Sequence, residues 1–223
     1  VGGPSILSGS IVSKRPDFFH DFIVFCHNNN AFLDFFSWHM YKQYNPWGVK
    51  EHGDYVRHVL DSIGLTSTKS YVTEMNIDLG QSGNPDINSP KGAAYVSSAL
   101  MSIQEAPIDK IFWYRGEGIM NLLNNDSLGL PKYTWNGLGF KAVTTLTDET
   151  PNRLSSSGNE VVAGLHMANN DTTNVMIMAG KSAVGEQIDI LLSNYNSTYS
   201  QLDVTLQDLL WNSTDNVQLT VNT

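Results

Sequence analysis

Tyr71-Val72-Thr73-Glu74-Met75-Asn76 is the stretch on which the reading of this chain turns. Tyr71 to Thr73 have the β-branched and aromatic character of the last residues of a buried strand. Glu74 follows with no turn residue between. A carboxylate at the end of an apolar strand is costly unless hydrogen-bond donors or a polar cleft receive it. Parallel α/β barrels place their chemistry at such strand ends. The plain alternative is a surface-loop glutamate, and the flanking sequence has to decide between the two.

Upstream, the strand leading to Glu74 begins near Lys69, after Gly64 ends a helix over about 53–62 with Val56, Val59 and Leu60 at helical spacing. Before that helix lies a loop with Asn45-Pro46-Trp47-Gly48. Before the loop, Phe32 to His39 is nearly continuous apolar sequence, the pattern of a strand buried on both faces. Its tail, Ser37-Trp38-His39-Met40-Tyr41, is polar and aromatic. Further back, Asp17 is placed to cap a helix running to about His27, preceded by an apolar segment at Ile6–Val12. Downstream, Asn84-Pro85 and Ser89-Pro90 mark a loop. A helix over 92–106 is ended by Pro107, and a short strand runs from Lys110 to Tyr114. A Gly- and Asn-rich loop then leads past Pro131 into a helix over about 135–146.

The order strand–helix therefore recurs four times over residues 1–150, the grammar of a parallel sheet with right-handed crossovers. After Pro151 and the linker Ser155-Ser156-Ser157-Gly158 the pattern becomes short strands only. They lie near 161–167, 174–178, 187–192, 202–206 and 217–221, which predicts a small β-sandwich over 151–223. The fold class expected is thus α/β plus all-β: four strand–helix units, which make half of a (β/α)8 TIM barrel or, in the alternative, an open four-stranded parallel sheet, followed by a β-sandwich domain. A full barrel needs about 250 residues. A half barrel would leave two sheet edges and its inner apolar face open.

Composition narrows the function. The 223 residues are 41% hydrophobic and 16% charged, as in a folded globular protein. With 22 Asp and Glu against 13 Lys and Arg, no basic run is present for a phosphate backbone, so nucleic acid is not an expected partner. A neutral ligand such as a carbohydrate fits the balance. The single cysteine, Cys26, lies in an apolar run and is read as a buried structural thiol. No run is long enough to span a membrane. Val1-Gly2-Gly3-Pro4 is neither a signal peptide nor an initiator methionine, so a processed or partial chain is expected. Sequons at Asn125, Asn170, Asn196 and Asn212 fit a secreted or periplasmic protein, though an Asn- and Ser/Thr-rich chain also produces them by chance.

In order, Val1-Gly2-Gly3-Pro4, Asp34-Phe35-Phe36-Ser37-Trp38-His39-Met40-Tyr41, Thr73-Glu74-Met75-Asn76 and Phe112-Trp113-Tyr114 resemble barrel strands five to eight of glycoside hydrolase family 39. This is a family of clan A barrels that includes β-xylosidases and α-L-iduronidases. Gly129-Leu130-Pro131-Lys132 resembles the approach to its last helix, and Leu191-Leu192-Ser193-Asn194-Tyr195 a strand of the β-sandwich that follows the barrel. The resemblance implies a retaining β-glycosidase of β-xylosidase type with Glu74 as nucleophile. It also implies His39 and Tyr41 as hydrogen-bond donors at the neighbouring strand end, Trp113 as a flat platform under a sugar, and Asn76 and Glu117 as partners of sugar hydroxyls.

Each assignment has a bland counterpart. His39 alone suits a satisfied core histidine, Trp113 alone a core tryptophan, and Trp38, Trp47 and Tyr44 either line a cleft or pack a loop. The six histidines show no metal-ligand spacing, and there is no phosphate loop or Gly-x-Ser-x-Gly elbow, so no cofactor or metal is expected. One departure stands out. The family's acid/base glutamate follows an asparagine ahead of the Gly-Gly-Pro segment, and the only Asn-Glu pair here, Asn159-Glu160, lies in the linker. The expectation is therefore a chain lacking its acid/base residue. Its partner would be a missing N-terminal half-barrel or a second copy in a homodimer. A catalytically weak half-barrel and a carbohydrate-binding module are the alternatives.

Overall fold

The computed structural model describes residues 1–41, 45–78, 86–118, 120–156, 161–162, 175–198 and 200–207. Tyr44, the Asn84-Pro85 and Asn159-Glu160 pairs, the sequons at Asn170 and Asn212, the strand expected at 217–221 and most of that at 161–167 lie outside them.

Strands β1 (Gly2–Leu7), β2 (Phe35–Tyr41), β3 (Lys69–Asn76) and β4 (Lys110–Trp113) form one parallel sheet in the order β1-β2-β3-β4. Between them run α1 (Pro16–Asn28), α2 (Gly48–Ser62) and α3 (Pro90–Ile103), and α4 (Trp135–Glu149) follows β4. The four strand–helix units expected from the sequence are all present, in sequential order. Two details differ. Arg15, not Asp17, is the N-cap of α1, because Pro16 fits the first helical position and needs no N–H partner there; Asp17 falls in the first turn, where a carboxylate suits the helix dipole. And β2 starts only at Phe35, leaving Phe32 exposed.

The helices cover one face. Phe36, Trp38 and Met40 of β2 and Val72 and Met75 of β3 are buried with Phe19 and Ile23 of α1, Val56 and Leu60 of α2, and Tyr95, Val96 and Met101 of α3. Each such side chain contributes about 1.5–3 kcal/mol by leaving water. Phe19 packs with its ring tilted against Phe36, centroids 5.0 Å apart, and the Trp38 indole N–H donates to Ser70 Oγ at 3.1 Å. Trp38 and Trp47 are therefore core residues. Cys26 is a free buried thiol, and burial pushes its pKa up. Helices α3 and α4 approach closely because Gly139 has no side chain: a Cβ there would sit 2.3 Å from the Ala93 carbonyl oxygen. Ser97 Oγ–H donates to the Gly139 carbonyl at 3.0 Å.

The opposite face carries Phe35 stacked on Tyr71 at 4.8 Å, and it leaves Phe112 51% exposed. Both end strands, β1 and β4, have one side without a strand partner among the described residues.

A short hairpin, β5 (Leu123–Asn125) and β6 (Pro131–Tyr133), stands in the loop read as irregular from the sequence. After α4 come β7 (Asn152–Leu154), β8 (Val161–Val162), β9 (Val175–Lys181) and β10 (Ile188–Ser193). They form an antiparallel sheet in the order β10-β9-β7, with β8 parallel to β9. Residues 202–206, expected as a further strand, form none; Leu202, Val204 and Leu206 are exposed. Among the described residues the layer facing this sheet is helical. Met176 and Met178 join the same core as α3, Trp47 Nε1–H points at the Met176 sulfur, and Ser193 Oγ–H donates to the Ala94 carbonyl at 2.8 Å. The core is thus continuous across residue 150.

Asp109 ties the start of β4 to β3. Its carboxylate accepts from the Ser70 N–H at 2.9 Å and pairs with Lys69 at 2.8 Å. Burial pushes the Asp109 carboxyl up, but the Lys69 ammonium, the Ser70 N–H and Arg57 together outweigh it and hold it below its ordinary 3.8. The same contact raises Lys69 above 10.5. A lowered acid stabilises the fold above its unfolded value and a raised base does so below its own. The pair therefore contributes fully between about pH 3.8 and 10.5, and is lost as acid titrates Asp109. Asp109→Ala also leaves the Ser70 N–H buried without a partner. Urea unfolding at pH 7 should show a loss of about 1–3 kcal/mol, with a smaller loss near pH 2–3.

Candidate active site at the end of the third strand

Glu74 reaches the open face through an irregularity in β3. Val72 pairs with Trp38 and Ile111, and Met75 with Met40 and Trp113. Between these two rungs β3 uses one residue more than either neighbour. Strict alternation from the buried Val72 would send Glu74 toward the helices. The extra residue, as in a β-bulge, restores Met75 to the core and aligns Glu74 with His39. Thr73, at the bulge, donates its hydroxyl to the Trp38 carbonyl at 3.3 Å.

On the open face the Tyr41 hydroxyl donates to Glu74 Oε2 at 2.7 Å, and His39 Nδ1 lies 3.4 Å from the same oxygen. The Glu74 side chain is 34% exposed, half-sheltered but open to a ligand. Burial, then the hydrogen bond and charge of Glu74, push the Tyr41 hydroxyl far above its ordinary value, so it remains a donor at any working pH. Tyr114 packs edge-on against Tyr41 with ring centroids 6.4 Å apart, and the Arg115 guanidinium lies 5.7 Å from the Tyr114 ring. The sequence reading missed Tyr114. Its signal was only its place beside Trp113.

Two expected ligand contacts are placed elsewhere. Asn76 is fully buried: its amide NH2 donates to the carbonyls of Tyr114 and Met120, the latter at 3.0 Å, and its oxygen accepts from the Ile77 N–H at 2.7 Å. Both ends of the amide are engaged by backbone, so Asn76 clamps the loop after β4 in place of meeting a sugar. Trp113 shares the helix-facing side with Ile111, because β4 alternates without a bulge. Its ring lies 6.4 Å from Phe140 of α4, and its buried Nε1–H has no partner among the described residues. It is a packing residue between β4 and α4, not a platform beside Glu74. Glu117 is exposed in the same loop, with no ion-pair partner among the described residues. The described residues contain no group of three metal-ligating side chains. No described helix is long and apolar enough to cross a membrane.

No family model and no curated protein sequence matches the chain. Solved structures do match in fold. A glucosidase from Croceicoccus marinus matches with a TM-score of 0.64 and 24% identity, over 87% of this chain and 39% of its own. A monomeric β-xylosidase from Caulobacter crescentus matches with a TM-score of 0.52 and 14% identity, over 82% and 37%. A GH39 enzyme from Xanthomonas axonopodis pv. citri matches with a TM-score of 0.50 and 16% identity, over 80% and 44%. The chain thus spans about two fifths of the length of the structures it matches. It has the fold of part of these glycoside hydrolases, in agreement with the family resemblance carried by its sequence.

Asn76→Ala would leave two carbonyls of the loop and the Ile77 N–H without their side-chain partner. The expected cost is about 1–3 kcal/mol. Hydrogen exchange should quicken at Leu122 and Leu123, whose N–H groups donate to the Gly116 carbonyl at 3.0 and 2.9 Å.

Proposed function

We propose that this chain carries the nucleophile side of a retaining β-glycosidase site, of β-xylosidase type, with Glu74 as the attacking carboxylate. The observation that carries the reading is the Tyr41–Glu74 hydrogen bond on the open face of a parallel sheet, at the carboxyl ends of its strands. The fold shared with a glucosidase and a β-xylosidase supports a glycoside as the ligand.

In this reading a Glu74 oxygen attacks the anomeric carbon while the glycosidic oxygen departs with a proton from a second carboxylic acid. Water, giving its proton to that same group in its carboxylate form, then attacks the anomeric carbon and releases Glu74. Tyr41 holds the carboxylate in position and, as a neutral donor, stabilises its charge. His39 offers a second polar contact on the same side. The partner acid must sit about 5–5.5 Å from Glu74. We assign it to a segment outside residues 1–223, an N-terminal half-barrel that closes the eight-stranded barrel, with residues 151–223 as the accompanying β-domain. A loss of the acid removes about 10²–10⁴ in rate, so residues 1–223 alone should hydrolyse glycosides weakly.

The second reading, closure of the sheet by another copy of the chain, is favoured by the unpartnered sides of β1 and β4 and by Phe112 on the open face. It predicts a dimer with two copies of Glu74 and no dedicated acid.

The test is covalent trapping. Protein containing this chain, mixed with 2,4-dinitrophenyl 2-deoxy-2-fluoro-β-xyloside, should gain one fluoroxylosyl group, recovered by peptide mass mapping on Glu74. Labelling elsewhere, or equal labelling of Glu74→Gln, would overturn the assignment. Tyr41→Phe removes a hydrogen bond to a charged group worth about 1.5–3 kcal/mol, so trapping and turnover should slow about 10- to 100-fold with the fold intact.

A further inference from the structure

Helix α1 is more apolar than its contact with the sheet requires. Phe19, Ile23 and Cys26 are buried and face the sheet, with Phe19 against Phe36 of β2. Phe18, Phe22 and Phe25 stand beside them, at i, i+4 and i+7 positions that share one side of a helix. Phe18 and Phe22 stack with ring centroids 6.4 Å apart. Phe18 is nevertheless 42% exposed and Phe25 62%. These two side chains leave about 200 Å² of aromatic surface in solvent. Leu7 at the end of β1 and Val12 in the turn before α1 are exposed as well. A patch of this kind on a folded chain marks a contact.

The direction in which the stripe faces follows from what lies on the other flank of α1. Tyr55 of α2 packs on Phe19 with ring centroids 5.9 Å apart. A Cβ at Gly64, just after α2, would stand 3.8 Å from the His27 ring. With about 3.6 residues per turn, His27 and the Phe18–Phe22–Phe25 stripe fall on opposite flanks of the sheet-facing residues. The stripe therefore faces away from α2. Because β2 lies between β1 and β3, that is the flank on which β1 has no strand partner among the described residues. One side of the fold thus presents an open strand edge and an aromatic helix flank together.

We infer that Phe18, Phe22 and Phe25 are the helix side of the seam with the N-terminal half-barrel, and receive an apolar helix from the strand–helix unit that pairs with β1. A right-handed crossover into β1 puts its helix on the face that carries α1, α2 and α3, next to α1. Such a helix lands on the stripe, while its strand pairs the free edge of β1. The matched structures extend well beyond the two fifths of their length spanned by this chain, which leaves room for such a unit. A second copy fits less well. Its last strand–helix unit would bring the exposed side of α4, where Lys141, Asp148 and Glu149 accompany Leu138. Charged groups set against three phenyl rings lose water without gaining a partner. The inference rests on the assignment of an N-terminal half-barrel and names the surface that holds the two halves in register. That register also sets the catalytic distance, since the partner acid must stand about 5–5.5 Å from Glu74.

The test is photocrosslinking in protein that contains this chain together with the sequence preceding it. Phe25→p-benzoylphenylalanine and Phe18→p-benzoylphenylalanine should each cross-link, within one molecule, to a peptide from ahead of Val1. The yield should not change on dilution. The same probe at Asp17, on the outer side of α1, should give no such product. Cross-links to residues 1–223, in the same molecule or in a second copy, would overturn the inference. So would the absence of a product from both positions. A fluoroxyloside-labelled Glu74 without the cross-link would overturn this seam alone. The cross-link with Glu74 unlabelled would overturn the catalytic reading alone.

Discussion

The site depends on a single extra residue in β3. A strand at the centre of this parallel sheet has one face against helices and the other open, and its side chains alternate between them. Val72 and Met75 must both reach the helix-facing core, and they are three positions apart. Only an irregular step lets both do so, and that step turns Glu74 to the open side. An unpartnered carboxylate among Trp38, Met40 and Val72 would be intolerable. The packing demand of two core residues and the placement of the acidic group are thus one constraint.

From that constraint the rest of the site follows. Glu74 meets Tyr41 and His39 because they alternate onto the open face of β2 with Phe35 and Ser37, while Trp38 and Met40 fill the core. Tyr114 supports Tyr41 because Asn76 fixes the loop that carries it. The buried Asn76 amide is satisfied at both ends. A residue with the polarity of a ligand contact therefore has a structural role, and its effect on Glu74 passes through Tyr114 and Tyr41.

The parallel sheet and its helices were largely legible in the sequence. Apolar runs bounded by Gly and Pro located β2, β3, α2 and α3, although Ser89-Pro90, read as loop, supplies the cap and first residue of α3. The importance of Glu74 was legible too, from a carboxylate set against an apolar strand. The later β-region was less so. Residues 202–206 alternate Leu, Val and Leu like a strand, yet pair with nothing among the described residues. Alternation reports a local preference, whereas a ladder needs a neighbouring edge. The β5–β6 hairpin was hidden for the opposite reason. Its strands are three residues each, too short to show a period, and the Gly and Asn that bound them read as loop.

The sequence by itself determined the four strand–helix units, their order, and that a carboxylate stands at the end of the third strand, because these follow from local propensity and spacing. Tertiary structure decided which side chains share a face. Asn76, two positions from Glu74, faces the loop backbone, and Trp113, at the end of the neighbouring strand, faces α4, while Tyr41, thirty-three positions from Glu74, touches it. Strand alternation is fixed only by the register with neighbours, and one inserted residue reverses it. No local pattern in Tyr71–Asn76 reveals that insertion, since it exists only relative to β2 and β4.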